Sequence, residues 1–120
     1  MKLYIGGTGN GQRELAAKET GLTPLHCTPA EALTAPAVDC FHLTLRELLE
    51  SGSDSRAYAL QFVAENPDAV VVCDEIGLGL VPLDPFERRW REETGRALCI
   101  LAESAERVTR VYCGLPQVIK

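Results

Sequence analysis

Lys2-Leu3-Tyr4-Ile5-Gly6-Gly7-Thr8-Gly9-Asn10-Gly11-Gln12-Arg13 is the stretch that decides the architecture. Lys2 to Ile5 predicts a short strand with Leu3 and Ile5 on one face. Four glycines follow between Gly6 and Gly11. Gln12 to Thr20 then predicts a helix, favoured by Leu15, Ala16 and Lys18 and stopped by Gly21. Strand, glycine loop and helix in that order open a nucleotide-binding α/β unit.

The rest of the chain continues the alternation. Pro29 to Leu33 predicts a short helical turn capped by Thr28. Ala37 to Phe41 predicts a second strand, and Leu43 to Glu50 a helix with Leu45, Leu48 and Leu49 turned inward. Ser55 is the expected cap of a helix over Arg56 to Glu65, which Asn66-Pro67-Asp68 breaks. Ala69 to Cys73 is the strongest strand, and its three valines suit a central parallel strand covered on both faces. Asp74 to Pro85 is expected as a loop, Phe86 to Glu103 as the longest helix, and Val108 to Cys113 as a last strand ended by Gly114 and Pro116. Strands alternating with helices predict an α/β three-layer sandwich with a small, mainly parallel sheet, of the P-loop NTPase type. The 120 residues suit a single domain over 1–120, and no internal repeat interrupts it.

Gly6, Gly7, Thr8, Gly9, Asn10, Gly11, Gln12 and Arg13 occupy the frame G-x-x-x-x-G-K-[ST] and are the candidate nucleotide-binding residues. In such a loop successive backbone N–H groups converge on phosphate oxygens, and the helix behind adds its positive end. Gln12 stands where a lysine would bridge the outer phosphates, and Arg13 where a hydroxyl would hold Mg²⁺. Glutamine donates hydrogen bonds without charge, whereas arginine is cationic and cannot ligate a cation. Two readings stay open. The loop is a tight strand-to-helix connection, or Arg13 brings its guanidinium to the phosphates and partly replaces both lysine and metal.

Composition narrows the classes. A formal net charge of −5 disfavours general nucleic-acid binding. The five cysteines form no C-x-x-C pair and several lie in apolar runs, so reduced thiols in a cytoplasmic protein are expected. MKLYIGG lacks the apolar core of a signal peptide, and no stretch is long enough to span a membrane. His26-Cys27 and Cys40-x-His42 are chemically adequate for zinc, but their spacing matches no common zinc module.

Three ordered segments carry a family resemblance. Val70-Val71-Val72-Cys73-Asp74-Glu75-Ile76-Gly77-Leu78-Gly79-Leu80-Val81-Pro82 resembles a strand followed by N-E-V-G-x-G-x-V-P. Arg88-Arg89-Trp90-Arg91-Glu92-Glu93-Thr94-Gly95-Arg96 is similar to R-R-F-R-D-x-x-G-R. Val111-Tyr112-Cys113-Gly114-Leu115-Pro116 resembles a closing strand with a G-L-P ending. These are patterns of the adenosylcobinamide kinase / adenosylcobinamide-phosphate guanylyltransferase family. Its D-C-L-T-L-W-L segment is echoed by Asp39-Cys40-Phe41-His42-Leu43-Thr44-Leu45, and its G-G-x-x-S-G-K-S loop by the glycines of Gly6 to Arg13.

The resemblance implies GTP or ATP as nucleotide, with Mg²⁺, a corrinoid (cobinamide) partner and a homo-oligomer. It implies a kinase step and a guanylyl transfer through a histidine. His26 lies in the corresponding, shortened segment but lacks the family's surrounding basic helix. The departures at Gln12 and Arg13 keep a second class open, a non-catalytic pseudoenzyme acting as nucleotide sensor or assembly subunit. Asp39 and Glu75 end predicted strands, the edge where open α/β sheets bind ligands, and are the metal candidates; the alternative is that they cap turns. Asp74, beside Glu75, ranks behind them. The arginines of the long helix suit a salt-bridged face, with Glu92 and Arg96 four apart. Ile76 to Val81 is too apolar for an idle exposed loop, and suits packing under another element or an oligomer contact.

Overall fold

The computed structural model describes residues 1–120. The elements run β1 (Lys2–Gly6), α1 (Gln12–Thr20), β2 (Leu25–His26), α2 (Pro29–Ala32), β3 (Ala37–Asp39), α3 (Phe41–Glu50), α4 (Ser55–Glu65), β4 (Val70–Asp74), α5 (Pro85–Ser104), β5 (Arg107–Tyr112) and β6 (Leu115–Val118). All strands join one sheet in the order β2-β3-β4-β1-β5-β6. Every pairing is parallel except β5 with β6.

The two-residue period of β4 divides its side chains between two cores, as a doubly covered strand requires. Val70 and Val72 join Tyr4, Ala37 and Val111 in a small cluster with Ala16 of α1. Val71 and Cys73 join Leu3, Val38 and Val108 in a larger cluster with α3, α4 and α5. The result is three layers, with α1 on one face and α2 to α5 on the other. Phe41, Tyr58 and Phe62 anchor the thicker side. The ring centroid of Phe41 lies 5.1 Å from that of Phe62 and 6.4 Å from that of Tyr58, within the range of favourable aromatic pairs.

Several boundaries differ from the sequence reading. The second predicted strand stops at Asp39, because Cys40 adopts φ 52° and Phe41 already opens α3. The cap of α4 is Asp54, whose Oδ1 accepts from the N–H groups of Arg56 and Ala57. Ser55 is instead buried and donates to Glu93 Oε2. Asp84 caps α5 in the same manner, with Pro85 in its first turn.

Gly114 and Pro116 do not end the sheet. Cys113 and Gly114 both take positive φ and form a two-residue turn of the hairpin-favoured hand, so β6 folds back along β5. Pro116 is tolerated because β6 is an edge strand. The short β2 is a further addition to the sequence reading; it is an exposed edge with little apolar patterning.

Candidate functional site

The glycine loop sits at the carboxyl end of β1, where parallel sheets open a crevice. Two of its glycines are sterically required. A Cβ on Gly6 would stand 2.8 Å from the carbonyl oxygen of Val111, so no side chain fits without moving β5. Gly11 holds φ 88° at the N-cap of α1, and a Cβ there would stand 3.2 Å from Gly114 Cα. With glycine at that position α1 begins without a side-chain cap, so the helix leaves its first N–H groups unpaired. All eight predicted nucleotide-binding residues lie in this turn: Gly6 ends β1, Gly7 to Gly11 form the loop, and Gln12 and Arg13 begin α1.

Gln12 does not extend to solvent. It is 4% exposed, and its Nε2 donates to Gly6 O (3.1 Å), Gly7 O (3.1 Å) and Asp74 Oδ1 (2.8 Å). Those three acceptors fix the orientation of the amide, since a flipped oxygen would face only other oxygens. Thr8 Oγ1 donates to the second Asp74 oxygen at 3.2 Å. Asp74 thus stands at the centre of the loop, tying β4 to it.

Behind Asp74 lies His42, on the first turn of α3. The Asp74 N–H donates to His42 Nδ1 at 3.3 Å, and Nε2 is 3.7 Å from Asp74 Oδ2. Burial pulls the His42 pKa below its ordinary value, against the opposing pull of the Asp74 and Asp39 carboxylates. His42 is therefore neutral at pH 7, with Nδ1 as acceptor and the proton on Nε2. Trp90 of α5 fixes this turn by donating from Nε1 to His42 O at 2.7 Å.

Arg13 is half exposed, and its Nε lies 3.5 Å from Asp39 Oδ2. Asp39 Oδ1 accepts the Cys40 N–H at 2.8 Å, a turn-capping bond. Burial, aided by Asp39 and Asp74, pushes the Cys40 thiol up to about 11, so it is protonated at neutral pH. Gly9, Gly11, Gln12, Arg13, Asp39 and Asp74 line a cleft of about 170 Å³, open to solvent above the start of α1.

The two predicted metal carboxylates face different clefts. Asp39 lines the loop cleft, paired with Arg13. Glu75 lines an apolar cleft on the α5 side of the sheet. Its Oε2 lies 3.3 Å from Arg110 Nε, off the hydrogen-bonding direction, so both atoms are buried without a hydrogen bond. No three His, Cys, Asp or Glu side chains converge as a metal-holding group, and the His26, Cys27, Cys40 and His42 set does not converge as a zinc centre. Asp74, ranked behind Glu75 on sequence, is the carboxylate that the fold puts among the loop residues.

The hairpin turn completes the site from the far end of the chain. Gly114 N–H donates to Asn10 O at 2.8 Å, and Cys113 N–H donates to Asn10 Oδ1 at 3.4 Å. The apolar loop after β4 is held by arginines of α5. Arg91 donates to the carbonyls of Gly77, Gly79 and Leu80, and Arg88 donates to Pro82 O. Leu80 (96% exposed) and Leu83 (89% exposed) project outward from this pinned backbone. Neither the Asn10 clasp nor the arginine contacts can be read from the sequence, because their partners are backbone groups of another segment and leave no side-chain pattern.

A six-stranded, mostly parallel sheet carrying this loop defines a small α/β protein of the P-loop class. The family model described as cobinamide kinase / cobinamide phosphate guanyltransferase matches residues 19–119, and the chain belongs to that family. The glycine loop precedes the matched segment. Among curated proteins, the chain is 37% identical over 97 residues to the bifunctional adenosylcobalamin biosynthesis protein CobP of Pseudomonas aeruginosa. That alignment covers 76% of this chain and 56% of the relative, so the chain spans little more than half of that protein's length.

Proposed function

We propose that this chain is a nucleotide-binding protein of corrinoid metabolism, acting as or derived from an adenosylcobinamide kinase/guanylyltransferase. It takes GTP or ATP at Gly6 to Arg13, and cobinamide is the partner substrate. The observation that carries the reading is the uncapped start of α1 behind a glycine loop at the end of β1, within a chain of this family. The free N–H groups of α1 and the helix dipole supply sites for phosphate oxygens. Arg13 supplies a cation once it turns from Asp39. A magnesium ion brought with the phosphates would take Asp74 and the neighbouring Thr8 hydroxyl; Asp39 would join only after releasing Arg13. Phosphoryl transfer in such a site works by positioning and charge stabilisation.

A second reading is favoured by a specific observation: the Gln12 Nε2 group, held by three acceptors of the loop and β4, stands where a mobile ammonium would follow the transferred phosphoryl group. Under it the chain binds nucleotide without turnover, as a sensor or assembly subunit. Under either reading the exposed Leu80, Val81 and Leu83 on their clasped backbone suit contact between copies of the chain in the cytoplasm.

Calorimetric titration with GTP and ATP, with and without Mg²⁺, followed by assay of cobinamide phosphorylation, separates these readings. Binding with turnover supports the enzyme, and binding without turnover the sensor. No binding at millimolar nucleotide removes both.

A further inference from the structure

The carboxylate at the centre of the glycine loop is held from behind by residues that do not line the loop cleft. Asp74 ends β4, and both ring nitrogens of His42 face it. His42 Nδ1 accepts the Asp74 N–H at 3.3 Å, so the imidazole takes hold of the strand's last backbone amide. His42 is 7% exposed, and its carbonyl oxygen accepts the Trp90 indole N–H at 2.7 Å. Trp90 lies against Arg46, whose guanidinium is 4.6 Å from the indole centroid and binds Glu87 through two hydrogen bonds. Neither His42 nor Trp90 reaches the cleft above α1.

Two features separate this chain of contacts from ordinary core packing. The first is that it closes a circuit. The segment leaving Asp74 is gripped by Arg88 and Arg91 of α5 through its carbonyls. Trp90 lies between those arginines and returns to Asp74 through His42. Asp74 is thereby tied to α5 twice, through the chain that follows it and through the imidazole beside it. The second feature is that the contacts fall where the chain departs from the patterns it resembles. Those patterns have lysine, threonine, asparagine and phenylalanine where this chain has Gln12, His42, Asp74 and Trp90. The four residues touch in a row, Gln12 to Asp74, Asp74 to His42, and His42 to Trp90. Phenylalanine has no donor for the residue 42 carbonyl, and a threonine has no imidazole nitrogen to accept the residue 74 N–H. The change of charge at the loop is matched by a change in what stands behind it.

We propose that His42 and Trp90 are positioning residues for Asp74, holding the end of β4 so that its carboxylate meets Gln12 and Thr8. The proposal rests on the reading that Gly6 to Arg13 take nucleotide with magnesium, in which Asp74 is the first carboxylate available to the ion. Groups that orient a metal-binding carboxylate from behind affect metal affinity without touching the metal. Loss of either residue therefore weakens the magnesium-dependent part of nucleotide binding. It spares the part made by the loop N–H groups and Arg13.

The test compares the full chain with His42→Ala, His42→Asn and Trp90→Phe. Asparagine places Oδ1 where Nδ1 stood and keeps an acceptor for the Asp74 N–H. Phenylalanine keeps a ring at position 90, removes the donor, and carries the test if His42→Ala fails to fold. ¹H–¹⁵N spectra of the nucleotide-free chain read the Gln12 side-chain amide and the Thr8 backbone amide. Both signals should move in His42→Ala and Trp90→Phe and stay near the parent in His42→Asn. Calorimetry with GTP should then show Kd raised about tenfold in the first two variants with Mg²⁺ present, and less than about twofold without it. His42→Asn should bind as the parent does. Unmoved Gln12 and Thr8 signals overturn the proposal whether or not nucleotide binds. Equal loss of affinity with and without Mg²⁺ overturns it too, as does a lowered melting temperature with affinity unchanged, since the two residues then serve packing alone. If the parent binds no GTP in either condition while the signals move as expected, the nucleotide reading falls and the positioning of Asp74 stands.

Discussion

Replacing Gln12 by alanine tests the central claim about the glycine loop, that a side-chain amide and not a bound ligand holds its shape. The Nε2 group shares two hydrogens among two carbonyls and one carboxylate. The bond to Asp74 is charge-assisted and is worth about 1.5–3 kcal/mol, and the carbonyl contacts together about 1 kcal/mol. Loss of one buried methylene adds about 0.8 kcal/mol. Against this, Gln12 Oε1 is buried with no partner, and deleting it returns about 1–2 kcal/mol. The net expectation is a destabilisation of about 2 kcal/mol, or roughly 6–8 °C in melting temperature for a domain of this size. Urea denaturation should show a lower midpoint with an unchanged slope. Gln12→Lys, which keeps donors facing Asp74, should cost less than ~1 kcal/mol, whereas Gln12→Glu should be worse than alanine because it sets a second carboxylate against Asp74. An alanine variant within ~0.5 kcal/mol of the parent, or a glutamate variant more stable than the alanine one, would refute the latch.

The other expectations concern different parts of the molecule. Phe62→Ala removes the ring closest to Phe41, 5.1 Å between centroids, and should cost about 3–5 kcal/mol in chemical denaturation. Asp54→Ala deletes the α4 cap and should cost about 1 kcal/mol, largely recovered in Asp54→Ser. Below pH ~6.5 the unfolded chain protonates His42 while the folded chain resists, so stability should fall as pH drops from there towards the lowered folded pKa; His42→Gln should flatten that limb. At the alkaline end, burial and the Glu19 contact push the Tyr4 hydroxyl up to about 12, so stability should decline above pH ~10, and less so in Tyr4→Phe. Arg13→Ala should lower triphosphate affinity at least tenfold by calorimetry with the melting temperature nearly unchanged, because its ion pair with Asp39 is half exposed.

Much of the architecture was legible in the sequence. Val70-Val71-Val72 declared a doubly covered strand, and Gly6 to Gly11 declared a turn into a helix, because both signals are local and each follows from a single steric rule. The ends of elements were less legible where two local signals compete. Asp54 and Ser55 are both good caps, and only the long-range bond from Ser55 to Glu93 assigns the role to Asp54. The final hairpin was hidden because Cys-Gly is a weak turn signal and Pro116 argues against a strand until its edge position is known. For the site, sequence identified the loop and the loss of its lysine. It could not reveal that Gln12 and Asp74, 62 residues apart, form one unit, or that Asp39 and Glu75 face different clefts on the two sides of the sheet.

The bond between Asn10 and the Cys113-Gly114 turn has a consequence for biogenesis. Its partners are 103 residues apart, and β5 must be in the sheet before that turn can reach the loop. On a growing chain, residues 6–13 emerge early and wait for a clasp that is made only with the β5–β6 hairpin. Such non-local closure is slow relative to helix formation. A chain released or cleaved before residue 113 would carry the glycine loop and its Gln12–Asp74 latch but lack the Asn10 clasp. The hairpin is therefore the last piece available to fasten the loop, after the Gln12–Asp74 contact that β1 and β4 already allow.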